Sequence, residues 1–286
     1  MTSFLFWNLD KKRLIGRTTR LVRKHAVDLV ILAESVESPE EICSALSEAR
    51  GMPFHEITDG DVKVRLFSVH HESMFVSLFE SESSGVLMKR LRIPDSLEIL
   101  LVLVHFPSRL NYDEIDQILE ATALAQDIAT VENDHFLSNT VLVGDLNMNP
   151  FDPGVSGAQG LHGVMISDRA LKEKRTVNGK SYRFFYNPMW GQFGDRTPGP
   201  PGTFHLASSK PLNYFWNIYD QVLLRPSLID RFTGPFITDH DGVESLVHPS
   251  GVPDRSNCSD HLPLLFSINL NKEFRDGRAD TQSLVR

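Results

Sequence analysis

The sequence has few cysteines and lacks long apolar runs. Only Cys43 and Cys258 occur among 286 residues, and neither lies at a zinc-ligand spacing from another Cys or a His. No apolar stretch approaches the roughly 18 residues that cross a bilayer. The apolar N-terminal segment has no basic residues before it and breaks at Asn8, so it is too short for a signal sequence. We therefore expect a cytoplasmic protein with two reduced thiols and no stable membrane insertion.

Basic residues are also in deficit. The chain has 29 Lys and Arg against 37 Asp and Glu, which gives a net charge of -8 at pH 7. Non-specific binding to nucleic acid rests on Lys and Arg contacts to phosphate, so the chain as a whole is not a general nucleic-acid-binding surface. Carboxylates gathered around a metal ion also make a protein acidic. The net charge is therefore compatible with a phosphate substrate.

The apolar runs that do occur have the length of strands. We expect strands at residues 4–7, 28–33, 62–69, 73–79, 86–93, 97–104, 140–143, 218–224 and 262–268. Helices are predicted at residues 14–26, 39–50 and 113–135, and a capping box at 38–41 opens the second helix. This pattern predicts an α/β fold in which two sheets pack face to face with helices outside. We expect one domain at 1–270 and a flexible tail at 271–286.

Residues 182–219 combine eleven aromatic side chains with a Pro- and Gly-rich stretch at 198–202. Such aromatic density argues against disorder. Three roles are open for these rings. They can pack in the core, stack the bases of single-stranded nucleic acid, or bury a lipid tail.

Polar side chains gather where the apolar runs end. They are Asn8, Glu34, His105, Asp145, Asn147, Asp220, Asp260 and His261. Burial of such groups without partners is costly, so these positions favour a functional site. Carboxylate and amide oxygens suit Mg²⁺ or Mn²⁺, and no Ser or Cys stands beside a base as a nucleophile. The pattern indicates hydrolysis of phosphate esters without a covalent intermediate.

The same residues form an ordered set of motifs. In chain order the set is Asn8, Leu32-Ala33-Glu34, Val104-His105-Phe106-Pro107-Ser108, Gly144-Asp145-Leu146-Asn147, Tyr219-Asp220-Gln221-Val222 and Ser259-Asp260-His261. The set resembles the endonuclease/exonuclease/phosphatase superfamily and spans the chain from Asn8 to about Ile268. The resemblance implies a deoxyribonuclease-I-like fold, a two-sheet β-sandwich flanked by helices in four αββα layers.

The resemblance also implies a metal ion and an activated water. Glu34, Asn8 and Asp260 would hold Mg²⁺ or Mn²⁺, which screens the phosphate and stabilises the leaving oxygen. Asp145 would orient or deprotonate the attacking water. Asn147 would hydrogen-bond the phosphate or the nucleophile.

Two histidines complete the implied site. His261, kept in the right tautomer by Asp220, would donate to a non-bridging oxygen on which negative charge builds up. His105 would supply a second donor, as in the deoxyribonuclease and sphingomyelinase branches, whereas the abasic-site enzymes resemble one another in having Tyr there.

The sequence indicates the type of reaction more clearly than it indicates the substrate. Inositol-polyphosphate 5-phosphatases of this superfamily are expected to have a Pro-aromatic pair before an Asp-Arg pair, and residues 194–198 lack the Pro-aromatic part. Abasic-site enzymes resemble one another in a Leu-Asp-Tyr motif, and this chain has Tyr219-Asp220-Gln221 instead. We expect a metal-dependent phosphodiesterase acting on DNA or RNA. The alternatives are a phosphomonoesterase acting on a phosphorylated small molecule, a sphingomyelinase-type enzyme acting on a lipid headgroup, and a binding module without turnover.

Overall fold

A computed structural model describes residues 1–58, 63–81, 85–108 and 112–274 of the chain. The described residues form five α-helices and seventeen strands. The helices are α1 Ile15–His25, α2 Pro39–Arg50, α3 Glu114–Asp134, α4 Pro153–Ser156 and α5 Ser167–Ala170. The strands are β1 Thr2–Asn8, β2 Leu29–Ala33, β3 His55–Glu56, β4 Val64–Ser68, β5 Phe75–Ser81, β6 Val86–Leu91, β7 Ile99–His105, β8 Thr140–Asp145, β9 Gly163–Val164, β10 Lys174–Val177, β11 Lys180–Arg183, β12 Phe185–Tyr186, β13 Phe204–His205, β14 Trp216–Asn217, β15 Asp220–Leu224, β16 Phe232–Ile237 and β17 Leu264–Ile268.

Two mixed sheets form the centre of the molecule. One has six strands in the order β16-β17-β1-β2-β4-β3, and the other has seven in the order β5-β6-β7-β8-β15-β12-β9. Strands β1 and β2 are parallel, as are β7 and β8, while β15 runs antiparallel to β8. The short strands β10 with β11 and β13 with β14 form two separate ribbons.

The side chains of β7 show how the layers are arranged. Leu101 and Leu103 belong to the core between the two sheets, whereas Val102 and Val104 belong to a second core. Helix α3 lines this second core with Ala121, Leu124, Ile128 and Val131. Because both faces of β7 are covered, its sequence is apolar throughout instead of alternating.

Helices α1 and α2 pack on the six-stranded sheet. Their buried residues Leu21, Val22, Ile42 and Leu46 belong to the same cluster of buried side chains as strands β1 and β2 of that sheet. The four-layer αββα arrangement expected from the sequence is therefore confirmed. The capping box of α2 is also present, since the Ser38 hydroxyl accepts from the Glu41 N–H and the Glu41 carboxylate accepts from the Ser38 N–H. Asp113 and Asp116 cap α3 in the same way.

Several boundaries differ from those expected. Strand β15 starts at Asp220 rather than at residue 218, and β8 continues through Asp145. Strand β16 was not anticipated, because Thr233-Gly234-Pro235 interrupts its apolar pattern and the ladder is irregular there. In 182–219 the structure has short strands, a 3-10 helix at Pro188–Gln192 and irregular segments.

Part of the expected tail lies within the described residues. Asn271 bridges to Ser96, and the Arg231 guanidinium lies 5.1 Å from the ring centre of Phe274. Residues 275–286 lie outside the described residues. Over the described part of the chain, the helices are too short or too polar to cross a membrane.

Candidate active site

Five strands bring their polar termini to one edge of the sandwich. In the seven-stranded sheet, Asp145 at the end of β8 lies opposite His105 of β7 and opposite Asp220 of β15. In the six-stranded sheet, Asn8 ends β1 beside Ala33, the last residue of β2. The carboxyl ends of parallel neighbours meet at the same edge of a sheet, so strand register alone collects these groups.

Asp145 is the central carboxylate, and its side chain is 1% exposed. Its Oδ1 accepts from the backbone N–H of Asn147 at 2.8 Å, and its Oδ2 accepts from Asn8 Nδ2 at 3.1 Å. The second contact joins the two sheets. The Nε2 atoms of His105 and His261 each lie 3.9 Å from the same Oδ2. The two imidazoles therefore face one carboxylate oxygen.

His261 is held by Asp220, which is fully buried. The Nδ1 atom of His261 lies 2.8 Å from Asp220 Oδ2, and its Nε2 lies 3.9 Å from Asp260 Oδ1. Burial disfavours a charged imidazole, but the negative charges of Asp220 and Asp145 outweigh burial and raise the pKa of His261 to about 10. The direction of this pKa shift favours the protonated imidazole, which carries an N–H on Nε2.

The second histidine has its own carboxylate. His105 Nε2 lies 3.3 Å from Glu34 Oε1, and this hydrogen bond is the main reason that the pKa of Glu34 is lowered. Glu34 has a backbone φ of 51°, an uncommon conformation for a non-glycine residue that is concentrated at functional sites. The buried Nδ1 of His105 has no hydrogen-bond partner among the described residues.

The turn after β8 depends on close packing of the backbone. A Cβ on Gly144 would lie 1.9 Å from the carbonyl oxygen of Val104, so only glycine lets β8 approach β7 in this way. Asn147 follows with φ 49°, and its Nδ2 donates to the carbonyl oxygen of Phe106 at 2.9 Å. Gln117 of α3 donates to the Asn147 carbonyl oxygen at 2.8 Å. Asn147 is thus clamped between α3 and the segment after β7.

The family model described as "Endonuclease/Exonuclease/phosphatase family" matches residues 5–261. The chain belongs to this family. Solved structures agree with the assignment. An AP endonuclease from Archaeoglobus fulgidus is 13% identical, with 94% of this chain and 100% of that chain covered and a TM-score of 0.55.

Another similar structure, TDP2 of D. rerio complexed with single strand DNA product, is 17% identical, with 93% of this chain and 98% of that chain covered and a TM-score of 0.54. An endonuclease/exonuclease/phosphatase family protein from Leptotrichia buccalis C-1013-b is 10% identical over 94% of this chain and all of that chain, with a TM-score of 0.55. None of the curated proteins matches the sequence. At these identities the likeness concerns the fold, and it confirms the deoxyribonuclease-I-like architecture.

Membership of the family implies a divalent cation, and the donor set fits one. Glu34, Asp145, Asp220 and Asp260 bring four carboxylates, which outnumber the two imidazoles and leave two negative charges even when both imidazoles are protonated. Burial raises the pKa of Asp260, so the ionised carboxylate is unfavourable in free energy unless a cation lies next to it. Hard oxygen donors of this kind suit Mg²⁺ or Mn²⁺.

A second cluster of possible ligands is less suitable. Asp145, Asp220 and His261 place one ligand atom each within 4.8 Å of one another. However, Asp220 and His261 are already hydrogen-bonded to each other, and a metal between them would break that bond. Glu34 and Asp260 are 26% and 23% exposed in their side chains, so a hydrated ion can reach them.

Residues without an assigned role support this edge of the sandwich. The Ser259 hydroxyl donates to the Asn8 carbonyl oxygen at 2.6 Å and accepts from the His261 N–H, which fixes the last motif against β1. Trp7 Nε1 donates to the His261 carbonyl oxygen. Ser259 stands inside a motif that the sequence already singles out. No local pattern signals Trp7, because its partner lies 254 residues away.

The Phe204 ring also borders the site. Its centre lies 4.8 Å from that of His261 and 5.0 Å from the Arg255 guanidinium carbon. Phe204 thus packs against the His261 imidazole at a tilt of 47°, and Arg255 makes a cation–π contact with Phe204.

Proposed function

We propose that this chain is a divalent-metal-dependent phosphodiesterase that hydrolyses DNA or RNA by in-line attack of water. The observation that carries the proposal is the pair of imidazoles, each next to its own carboxylate and each with Nε2 at 3.9 Å from Asp145 Oδ2. A phosphate group next to Asp145 is thereby within reach of two N–H donors and one base.

The residues of the chain divide the chemistry between them. Asp145 orients the water and accepts its proton as the water oxygen forms a bond to phosphorus. The Nε2–H of His261 donates to a non-bridging oxygen as negative charge builds up on it, and His105 supplies a second donor when its Nε2–H turns from Glu34 to the phosphate. Asp220 holds His261 protonated and correctly turned. The bond from phosphorus to the leaving oxygen breaks, and no phosphoenzyme forms.

Glu34, Asp260 and Asn8 are the residues proposed to hold the divalent cation. When bound, the cation would neutralise phosphate charge and stabilise the leaving oxygen. The Nδ2 atom of Asn8 donates to Asp145, so the side-chain oxygen Oδ1 of Asn8 is the atom left for a ligand role, and it already accepts from the Asp10 N–H at 3.0 Å. Carbonyl oxygens have two lone pairs, so this bond leaves one available.

Support for nucleic acid as the substrate comes from the relatives. One similar structure is an AP endonuclease and another is complexed with single strand DNA product. The complete set of four carboxylates and two imidazoles argues against a binding module without turnover, since such a module gains nothing from clustered negative charges. The cytoplasm remains the proposed location, because both cysteines are free thiols.

The test is hydrolysis by the purified protein with Mg²⁺ or Mn²⁺, before and after dialysis against EDTA. Substrates are plasmid, single-stranded DNA, RNA, bis-p-nitrophenyl phosphate, p-nitrophenyl phosphate and sphingomyelin. We expect metal-dependent cleavage of nucleic acid, a loss of at least about 100-fold in Asp145→Ala and in His261→Ala, and normal turnover in Asp168→Asn, whose side chain is exposed on α5.

Turnover of the monoester or of sphingomyelin in preference to nucleic acid would replace the substrate in the proposal. An inactive wild type in every condition would refute the enzymatic function.

A further inference from the structure

Five aromatic side chains, of which Tyr214 and Phe215 are exposed and the other three are half-buried, come from the turn after β8 and from the aromatic-rich segment. Four of these rings, Phe151, Trp190, Phe193 and Tyr214, are in contact, and together with Phe215, which follows Tyr214 in the chain, we call them the aromatic platform. The ring centre of Phe151 lies 5.0 Å from that of Tyr214, 5.6 Å from that of Phe193 and 6.2 Å from that of Trp190. Phe151 is therefore the hub on which three other rings converge.

The exposed rings of the platform differ from the aromatic side chains of the core, although Phe193 of the platform packs against the core between the sheets. Phe184 and Phe185, from the same aromatic-rich segment, are 1% exposed and belong to core clusters, whereas Tyr214 and Phe215 are 50% and 55% exposed. The aromatic segment thus serves two purposes. Its first part fills the interior, and its last part leaves large rings in water at a free-energy cost of roughly 25 cal/mol for each Å² of apolar surface.

Phe215 combines a strained backbone conformation with an exposed side chain. Its φ is 60°, which is a true outlier for a bulky side chain. The conformation is fixed locally, because the Phe215 N–H donates to Asn213 Oδ1 at 2.9 Å and its carbonyl oxygen accepts from the Leu206 N–H at 2.7 Å. A strained and exposed aromatic side chain suggests a contact with a ligand rather than a packing role.

The platform is connected to the candidate site through the chain segment that follows β8. Phe151 comes four residues after Asn147, and four Cα steps of 3.8 Å keep the two Cα atoms within about 15 Å. Asn149 fixes this connection, since its Nδ2 donates to Asn217 Oδ1 at 2.9 Å and its Oδ1 accepts from the Ile218 N–H at 2.9 Å. The platform therefore lies within a few nucleotides of a phosphate held at Asp145.

We propose that the aromatic platform binds unpaired bases of a nucleic acid strand whose scissile phosphodiester lies at Asp145. The inference rests on the proposed function for the position of the strand. The planes of Trp190, Phe193 and Tyr214 are tilted by 63°, 31° and 60° from the plane of Phe151. Tilted rings turn their faces in different directions, and flat bases stack on a ring face that is open to solvent without any sequence preference.

The platform requires bases that are free to leave a helix. Bases inside a duplex are already stacked, so only single-stranded, flanking or extruded nucleotides can reach side-chain rings. Two exposed cations, Arg196 and Lys210, flank the platform in sequence, and exposed Asp195 stands next to the first. Because this local charge is nearly balanced, we expect binding to depend on stacking more than on phosphate contacts.

The test is fluorescence anisotropy with Mg²⁺ in an Asp145→Asn background, which prevents cleavage. The probes are a labelled 12-nucleotide single-stranded DNA and a strand of equal length and charge built from abasic tetrahydrofuran units. We expect the base-containing strand to bind at least about fivefold more tightly, because one stacked base contributes about 5- to 150-fold in affinity. The double variant Tyr214→Ala/Phe215→Ala should bring this ratio close to one.

Two variants control for the loss of any ring. Tyr214→Phe keeps the stacking face and should keep the ratio, and so should Phe136→Ala, which removes a ring that is 95% exposed just beyond the far end of α3. Thermal unfolding of each variant checks that it folds. A ratio near one in the parent, or an unchanged ratio in the double variant, overturns the proposal. Platform-dependent binding to phosphatidylcholine vesicles without base dependence does the same.

Cleavage of the abasic strand separates this proposal from the proposed function. With Asp145 intact, the double variant should cleave this strand as fast as the wild type, since the strand has no aromatic ring to stack. A wild type that hydrolyses nothing refutes the proposed function, while the anisotropy ratio still decides whether the platform binds bases.

Discussion

At the scale of single residues, Asp220 acts on the candidate site through His261. Its carboxylate is buried and bonded to Nδ1, so it has no direct path to a substrate. Its effect is electrostatic and positional. Without this charge, burial would favour the neutral imidazole, whose single N–H is no longer fixed on Nε2.

We predict that Asp220→Asn lowers the pKa of His261 from its value of about 10. The sign follows from the balance of effects, because burial lowers this pKa and the lost negative charge no longer opposes it. The measurement is a ¹⁵N NMR titration of the imidazole in metal-free protein. Asp168→Asn should leave the titration unchanged, and a His261 still protonated at pH 9 in Asp220→Asn would contradict the prediction.

Gly144 is a second residue whose effect is local and steric. We predict that Gly144→Ala destabilises the protein by about 3 kcal/mol or more, since the added Cβ would collide with the Val104 carbonyl oxygen and separate β7 from β8. Urea denaturation measures the change. Gly16→Ala is the control, because no atom lies within 4 Å of the added Cβ and the helix should gain less than about 1 kcal/mol. Equal stabilities of the two variants would disprove the steric argument.

At the scale of secondary-structure elements, the sequence predicted what local patterns encode. The unbroken apolar run of β7 and the capping box of α2 were both recognisable, because burial on two faces and end-capping act within a few residues. Strand β16 was missed, since an edge strand tolerates the Gly and Pro that mark a turn elsewhere. Which rings of the aromatic segment are exposed was also unpredictable, because that depends on contacts with the distant turn at Phe151.

The attachment of α1 to the loop before β17 gives a prediction about pH. Arg20 on α1 donates to Asp241 through Nε at 2.9 Å and Nη2 at 2.7 Å. Burial opposes the charge on Asp241, but these hydrogen bonds outweigh burial and lower the pKa of Asp241. A lowered folded-state pKa means that the ionised carboxylate stabilises the fold at pH values above the unfolded pKa of about 3.9.

We therefore predict that Asp241→Asn loses about 1 to 3 kcal/mol at pH 7, the cost of removing hydrogen bonds to a buried charge. The difference from wild type should stay constant from pH 7 to pH 5 and shrink below pH 4, as Asp241 becomes protonated in the wild type. Thermal unfolding from pH 3 to pH 7 measures it. A stability difference that does not change with pH would show that the carboxylate charge is not the cause.

At the scale of the whole molecule, the candidate site is a property of the sandwich rather than of either sheet. Asn8 of one sheet reaches Asp145 of the other across 137 residues of sequence, and Asp260 enters on the segment that leads into β17. The motifs could be found from the sequence because each ends an apolar run. Their distances could not, because they depend on how the two sheets pack.

This arrangement concentrates negative charge where the two sheets meet. We therefore predict that Asp260→Asn changes the stability of the protein differently in the absence and in the presence of metal. Because burial raises the pKa of Asp260, its ionised form destabilises metal-free protein at pH 7. Metal-free Asp260→Asn should therefore unfold at the same temperature as wild type or higher. Mg²⁺ at 100 times its Kd should stabilise wild type by about 2.7 kcal/mol but leave Asp260→Asn nearly unchanged.

Thermal unfolding with EDTA and with increasing Mg²⁺ tests this prediction, with Asp168→Asn expected to behave as wild type. Glu34→Gln should lose the response to Mg²⁺ as well, but its metal-free stability should fall, because the lowered pKa of Glu34 shows that its charge is already stabilised by His105. Loss of the Mg²⁺ response in both variants, although their metal-free stabilities change differently, would identify both residues as ligands. An undiminished Mg²⁺ response in both variants would place the metal on other residues.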